Sequence, residues 1–196
     1  MVAIIGRIIT TKFSRTGKKN SSDYEIVKEV LTDFELIVDS YEQPIERPSE
    51  YQQQEKYYSG KKKMHTRKSQ LIVRPNGRDI VDVVAGEPGR KSDINLFREN
   101  KNGFEEKQKF SGDKAYQGEK SIKTPEKKPR KKELSSEQKI QNKELASERI
   151  FVEHLIRLVK IFRVAQERFR LNSSKYEQII MTICGLVRLR IGTFIL

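Results

Sequence analysis

Three carboxylates fall on separate predicted elements. Asp39 ends the branched, apolar run 34–39 and Asp113 ends the run 109–113, so both are predicted at strand ends. Glu153 lies in a later amphipathic segment with a helical period. Carboxylates are the ligands that hard divalent cations prefer, and two such ions can stabilise the attacking and leaving oxygens of a phosphodiester displacement. Spacing alone leaves open the alternative of ordinary strand-end and helix-surface acids.

The balance of charge indicates the kind of partner. The 196 residues include 40 Lys plus Arg against 27 Asp plus Glu, a net charge of +13, which favours a polyanion such as DNA. The run Lys61, Lys62 and Lys63 follows Tyr57 and Tyr58. The tyrosines could stack on the bases of a displaced DNA strand and the lysines could neutralise its phosphates. A solvated start of a β-strand explains the same residues equally well.

Composition excludes several other classes. The single cysteine, Cys184, permits neither an intrachain disulfide nor a cysteine-based zinc site. No glycine-rich phosphate loop predicts ATP or NAD binding. Residues 178–196 are apolar but include Arg188 and Arg190, which favours a buried helix over a membrane span. With no signal peptide evident, we expect a cytoplasmic, nucleoid-associated protein without a membrane partner.

The predicted elements include both strands and helices. They are a helix from Asp23 capped by Ser22, strands over 34–39, 64–74, 79–85 and 109–113, a short helix after Ser92, a helix from Ser147 and a last helix over about 174–190. Residues 1–22 are predicted to be an irregular basic segment, and 41–60 an irregular connection. A basic loop at about 119–137 is either a solvated linker or an arm that contacts phosphates. This order predicts an α/β fold, a mixed sheet flanked by helices.

The helix from Ser147 has one apolar stripe at helical spacing. The stripe contains Phe151, Leu155, Leu158, Val159, Phe162 and Ala165. This pattern predicts that Glu153 lies at the centre of the opposite face, with Arg157 and Lys160 on the same side. His154 points about 100° away from Glu153 on such a helix, which favours a packing or supporting role over metal ligation.

Six segments carry a resemblance to a known family. They are 37–45, 58–65, 86–89, 92–98, 112–116 and 149–154. In this order and spacing, from about residue 23 to the C-terminus, the chain resembles the catalytic domain of bacterial insertion-sequence transposases. These are DDE superfamily endonucleases with a ribonuclease H-like fold.

The resemblance implies specific roles. Asp39, Asp113 and Glu153 would be the catalytic residues and the ligands of Mg²⁺ or Mn²⁺, while Arg157 and Lys160 would face phosphates near the site. The implied reaction is cleavage at transposon ends followed by strand transfer by the freed 3′-hydroxyl, with transposon ends and target DNA as partners. A homodimer is compatible with the sequence, which does not fix the oligomeric state.

Two departures from the family pattern define the alternatives. Only 38 residues precede Asp39, where the family usually carries a DNA-binding region, so we expect a truncated copy. Ser40 and Tyr41 stand where relatives often have Ala-Thr. The alternatives are an inactive DNA-binding remnant and a ribonuclease H-like nuclease of another kind. Asp93, at a predicted helix start, is expected to be structural.

Strands 64–74 and 79–85 are predicted to form a hairpin around a turn at 75–77, and the second strand carries a further pair of acids. Asp79 and Asp82 are three residues apart and are predicted to face opposite sides of the strand, with one of them solvated.

Overall fold

The computed structural model describes residues 21–75, 79–129 and 133–193. Most of the predicted irregular segment 1–22, the predicted turn at 76–77 and residues 130–132 of the basic loop therefore lie outside the described residues. Ser21 and Ser22 are helical, so the predicted N-cap lies inside the first helix.

The chain combines strands and helices in the predicted order, with additional short elements. The strands are β1 (Leu36–Pro44), β2 (Tyr58–Ser59), β3 (Met64–Val73), β4 (Ile80–Pro88), β5 (Phe110–Ser111) and β6 (Ile122–Lys123). The helices are α1 (Ser21–Leu31), α2 (Tyr51–Tyr57), α3 (Asp93–Asn100), α4 (Ser136–Lys160), α5 (Arg163–Gln166) and α6 (Tyr176–Thr193). Short 3₁₀ turns cover Lys101–Gly103, Lys114–Tyr116 and Ser173–Lys175.

Within the described residues, six strands form one mixed sheet. Strand β3 is antiparallel to β1 on one side and to β2 and β4 on the other. Strands β5 and β6 then extend the sheet in parallel from β1. The predicted α/β fold is confirmed, because helices cover both faces of this sheet.

Alternation along β1 divides the core into two layers. Ile37 and Tyr41 pack with α4 and α6 on one face, and Leu36 and Val38 pack on the other. The second layer contains Val27, Leu31, Phe97, Phe110, Tyr116 and Ile122. The side chain of Asp39 has the parity of Ile37 and Tyr41, so it lies on the α4 face.

Strand β1 is longer than predicted. It continues to Pro44 because β3 pairs with it from Ile37 opposite Val73 to Pro44 opposite Thr66. Asp39 is therefore inside a strand, and the prediction that it ends one is wrong. Pairing with β5 stops at Ile37, so the sheet is open on one side of Asp39.

Three further boundaries differ from the predictions. Strand β4 continues beyond residue 85, where the predicted strand ends, and reaches Pro88. A bulge at Gly86, whose φ of +89° suits glycine, allows this continuation. Residues 51–57 form a helix inside the predicted irregular connection. Helix α4 begins at Ser136 rather than Ser147, because Ser135 and Gln138 form a capping box that the apolar pattern does not reveal.

The buried stripe of α4 also differs in part. Leu155, Val159 and Ala165 are buried as predicted, while Val152 and Ile156 replace part of the predicted stripe. Phe151, Leu158 and Phe162 are only partly buried. The buried face is thus rotated toward Val152, and Glu153 lies on its flank instead of opposite it.

The last helix packs on the sheet. Arg188 of α6 forms two hydrogen bonds with Asp79, at 2.5 and 3.0 Å, and both side chains are largely shielded from solvent. Asp82 is buried as well, so the prediction that one of these two acids is solvated is wrong. None of the described helices is long and apolar enough to cross a membrane.

Candidate active site

Asp39 is a shielded carboxylate at the opening of the sheet. Burial raises its pKa to about 6, against a lowering effect from the hydrogen bond that the Ser40 N–H donates to its Oδ1 at 2.8 Å. The positive charge of Arg149 lowers the pKa further, whereas the carboxylates of Asp113 and Asp93 raise it. Asp39 therefore lies within electrostatic reach of two other acids and one guanidinium.

The parallel pairing of β1 with β5 places Asp113 beside Asp39. Ile37 is opposite Ser111, and each aspartate comes two residues further along its strand direction. Asp113 is the N-cap of the 3₁₀ turn, and its Oδ1 accepts a hydrogen bond of 2.8 Å from Ala115 N. Local capping thus orients one carboxylate oxygen, while the register of two strands sets the position of the residue.

A close packing contact explains the glycine before Asp113. A Cβ at Gly112 would lie 2.9 Å from the Tyr116 ring and 3.2 Å from both Val38 and Ile122. Only glycine lets the chain pass under this ring without displacing its neighbours. Gly112 therefore helps to hold Asp113 against β1.

A buried hydrogen-bond network supports both aspartates from the other face of the sheet. The Tyr116 hydroxyl shares a hydrogen bond of 2.9 Å with Ser40 Oγ. Gln70 Nε2 donates to this hydroxyl at 3.0 Å, to Ser40 Oγ at 3.3 Å and to the carbonyl of Asp93 at 3.2 Å. Ser40 adjoins Asp39 and Tyr116 closes the turn that Asp113 caps, so the network ties the two acids together.

Glu153 pairs with an arginine whose charge also acts on Asp39. It lies 3.7 Å from a guanidinium nitrogen of Arg149, four residues earlier in α4. The Arg149 Nε is buried and has no hydrogen-bond partner in the part of the chain described. An unpartnered buried donor is costly, and the guanidinium geometry suits a phosphate.

Two lysines bring further positive charge to the same region. Lys160 lies 5.1 Å from the centre of the Tyr41 ring. Burial lowers the pKa of Lys160, the charge of Lys62 lowers it further, and the Asp39 carboxylate raises it. The end of α4 and the turn after β2 therefore meet near Asp39.

Helix geometry separates the predicted basic residues of α4. At 100° per residue, Arg149, Glu153 and Lys160 fall within about 40° of one another, and Arg157 lies about 40° further from the buried face. Arg157 is exposed, and so is His154. The exposure of His154 contradicts a packing role, and the supporting role predicted as its alternative stays a prediction.

Asp93 has a structural partner as well as an electrostatic effect on the site. It lies in the first turn of α3, where the prediction placed it, and Ser92 caps this helix. Its carboxylate is 2.9 Å from the buried Lys68 ammonium, which also donates to the carbonyl of Lys91. This ion pair fixes α3 against β3.

The donor set fits a hard cation in part. Two carboxylates meet beside a cluster of positive charge, and burial is the main reason that the pKa of Asp39 is raised. Mg²⁺ commonly uses one or two protein carboxylates and completes its coordination with water and substrate phosphates. Among the described residues, however, no three His, Cys, Asp or Glu side chains are grouped closely enough to hold a metal ion.

Several site residues were missed by sequence reasoning. The predictions did not include Arg149, although its spacing of four from Glu153 places both on one helix face. Nor did they include Gln70, since a glutamine in an apolar strand gives no sign of its partners. The hydrogen bond between Ser40 and Tyr116 was missed as well, because only the tertiary fold brings these two residues together.

The fold and the position of the aspartates define an α/β domain of ribonuclease H-like type. Residues 38–188 match the DDE superfamily endonucleases, and the chain belongs to this family. It is also 39% identical over 167 residues to the probable transposase for insertion sequence element IS702 of Microchaete diplosiphon.

The shared region covers 83% of this chain and 58% of that relative, so the chain spans little more than half of the relative's length. The resemblance predicted from the sequence is confirmed. No solved structure matches the chain.

Proposed function

We propose that this chain is the catalytic part of a DNA transposase that cuts phosphodiesters at transposon ends and joins the freed 3′-hydroxyl to target DNA. Family membership and the similarity to a probable transposase support this proposal. The observation that carries it furthest is the register that sets Asp39 beside Asp113, with Arg149 and Glu153 on the helix that covers Asp39.

We assign Asp39, Asp113 and Glu153 as the ligands of Mg²⁺ or Mn²⁺. A divalent cation, when bound, would activate the attacking oxygen and offset charge on the phosphate. The chain itself positions the ligands, because Gly112 and the network around Tyr116 hold the two aspartates. Separation of Glu153 from Arg149 would leave Glu153 free to bind the cation and Arg149 free to bind a phosphate.

Positive side chains would hold the DNA strand at the site. In the described part of the chain, the buried Nε of Arg149 has no hydrogen-bond partner, and the charges of Lys62 and Asp39 both act on Lys160. Lys61, Lys63 and Arg157 are exposed and would contact phosphates further from the carboxylates.

Nicking of supercoiled plasmid DNA in Mn²⁺ tests the proposal. Asp113→Asn should abolish nicking while keeping the fold, because an asparagine oxygen still accepts the Ala115 hydrogen bond. Asp33→Asn, at an exposed position, should nick like the parent. Glu153→Gln should lose activity and its exposed neighbour Glu148→Gln should keep it. Equal nicking by Asp113→Asn and Asp33→Asn would refute the assignment.

Thermal unfolding separates an active site from a DNA-binding remnant. A cation at 100 times its dissociation constant adds about 2.7 kcal/mol to the native state. We expect Mn²⁺ to raise the Tm of the parent and of Asp33→Asn but not of Asp113→Asn. A parent that binds DNA yet neither nicks it nor responds to Mn²⁺ would favour the inactive remnant.

A further inference from the structure

The turn between β2 and β3 presents an aromatic ring together with three lysines. Tyr58 is 45% exposed, and it pairs across the hairpin with His65. The Tyr58 and His65 rings meet edge to face with centroids 5.6 Å apart. This contact holds the tyrosine in place and leaves much of its surface open to solvent.

The turn itself has a fixed shape. Ser59 is buried, and its Oγ accepts a hydrogen bond of 3.2 Å from Lys62 N. Lys63 has a φ of +52°, a conformation that costs energy for a residue with a side chain. The hairpin thus displays its side chains from a constrained backbone, which reduces the entropy lost when they bind a partner.

The charge on this hairpin has no internal compensation. Lys61, Lys62 and Lys63 are exposed, and among the described residues no carboxylate forms an ion pair with any of them. Lys62 also lies close enough to Lys160 to repel it. A phosphate bound between these side chains would offset their mutual repulsion.

The position of the hairpin relates it to the carboxylates. Lys160 lies 5.1 Å from the centre of the Tyr41 ring, two residues after Asp39 on the same face of β1, and the charges of both Lys62 and Asp39 act on it. A DNA strand whose phosphate lies at Asp39 would therefore continue past these lysines toward Tyr58. Aromatic rings beside basic side chains are the usual means of holding unpaired bases, because every base has a stacking face.

We propose that the β2–β3 hairpin is a stacking platform for an unpaired nucleotide of the DNA strand that flanks the cleavage point, with Tyr58 as the stacking ring. The proposal rests on the function assigned above and adds the form of DNA that this surface binds. The lysines neutralise the backbone, and the tyrosine selects single-stranded over duplex DNA because only an unpaired base exposes its face.

Fluorescence anisotropy in EDTA, with a labelled single strand and a duplex of equal length, tests the proposal. Stacking on one base corresponds to a loss of about 5- to 150-fold in affinity when the ring is removed. Tyr58→Ala should show this loss for the single strand and less than about twofold for the duplex. Tyr58→Phe should retain the affinity, since its ring still stacks.

Tyr51→Ala is the matched control, because Tyr51 is 79% exposed on the adjacent helix α2. It should bind both DNAs like the parent. The stacking role would be overturned if Tyr58→Ala and Tyr51→Ala bound the single strand with equal affinity. It would also be overturned if Tyr58→Ala lost the same affinity for both DNAs, or if the parent failed to bind the single strand.

Salt dependence tests the lysines separately. Lys61→Gln with Lys62→Gln removes two phosphate contacts, which should make the slope of log affinity against log salt shallower by about 1.4 for the single strand. The control is the pair Lys107→Gln with Lys109→Gln. These exposed lysines precede β5, whereas Asp113 follows it, so their loss should leave the slope unchanged. An equal change in both pairs would contradict the proposed path of the strand.

These measurements separate the two proposals, because binding in EDTA does not require cleavage. If Tyr58→Ala loses affinity for the single strand but the parent does not nick DNA, only the catalytic function is refuted. If the parent nicks DNA and Asp113→Asn does not, but Tyr58→Ala binds the single strand like the parent, only the stacking platform is refuted.

Discussion

At the residue scale, the acids of the site depend on neutral neighbours. The Tyr116 hydroxyl bonds to Ser40 and Gln70 at a fully buried position. These contacts join the strand of Asp39 to the turn of Asp113. The carboxylates are thus positioned by groups that carry no charge and no catalytic signature.

Replacing Tyr116 by Phe should reveal this support. The change leaves Ser40 and Gln70 buried with fewer partners, so we expect a loss of about 1–3 kcal/mol in the free energy of unfolding. Urea denaturation of the metal-free protein measures it. Tyr51→Phe, which alters an exposed hydroxyl, should match the parent; an equal loss there would argue against the network.

The raised pKa of Asp39 predicts a dependence of stability on pH. The carboxyl ionises near its ordinary value of 3.8 in the unfolded chain and near 6 in the folded one. Below both values it is neutral in both states and has no effect. Above both values the folded protein carries the cost of an ionised buried group, about 3 kcal/mol.

Asp39→Asn should therefore raise the free energy of unfolding by up to about 3 kcal/mol at about pH 8, and much less at about pH 4. Urea denaturation in EDTA across this range measures the difference, which should grow between about pH 4 and 6. Asp33→Asn should give a flat difference. A destabilised Asp39→Asn protein at about pH 8 would show that Asp39 is compensated in the metal-free fold.

At the element scale, α4 combines a core face with a functional flank. Its buried residues contact β1 and the last helix, and Arg149, Glu153 and Lys160 lie on the flank nearest Asp39. The first three turns are polar, and they are held by the capping box of Ser135 and by two hydrogen bonds between Asn142 and the backbone of Glu126.

The basic loop is attached to the domain near its start, and its role as a solvated linker or as a phosphate-contacting arm stays a prediction. Glu119 forms ion pairs with Lys101 and Arg98, and these contacts lower its pKa to about 2. Gln117 donates to the carbonyl of Pro125, close to the bonds from Asn142. Its described lysines, Lys120, Lys123, Lys127 and Lys128, are exposed.

Truncating the core face of α4 should destabilise the fold. Leu155 is 2% exposed, and Leu155→Ala should cost about 2–5 kcal/mol through lost burial and a cavity. Phe162→Ala should cost less, since Phe162 is only partly buried. Leu171→Ala, at a 54% exposed position, provides the control in chemical denaturation. Similar losses for Leu155 and Leu171 would contradict the packing described for α4.

At the scale of the whole molecule, one ion pair joins the end of the chain to the sheet. Arg188 and Asp79 are 109 residues apart, and 7% and 14% of their side chains are exposed. The pair holds α6 on β4 and so closes the layer that also contains α4. Its loss would affect the site only through this layer.

Asp79→Asn should leave Arg188 buried beside a neutral partner. Breaking one side of a buried pair costs about 3–5 kcal/mol, whereas Asp33→Asn should have almost no effect. Differential scanning calorimetry of both variants measures the change in Tm. A Tm of Asp79→Asn equal to that of the parent would mean that the pair contributes little to the fold.

The sequence by itself determined the type and order of most elements. Branched apolar runs predict strands because alternate side chains must be buried on both faces of the sheet, and the capping role of Ser92 follows from the chemistry of one side chain. The acids Asp39, Asp113 and Glu153 were also proposed from sequence, and their roles stay a prediction.

The tertiary structure decided what these patterns leave undetermined. The length of β1 depends on its pairing with β3, and the rotation of α4 depends on which side chains fit the sheet. The meeting of Arg149 with Asp39, of Tyr116 with Ser40, and of Lys62 with Lys160 joins residues 76 to 110 positions apart. Such contacts follow from packing of the whole chain, because no local period relates their positions.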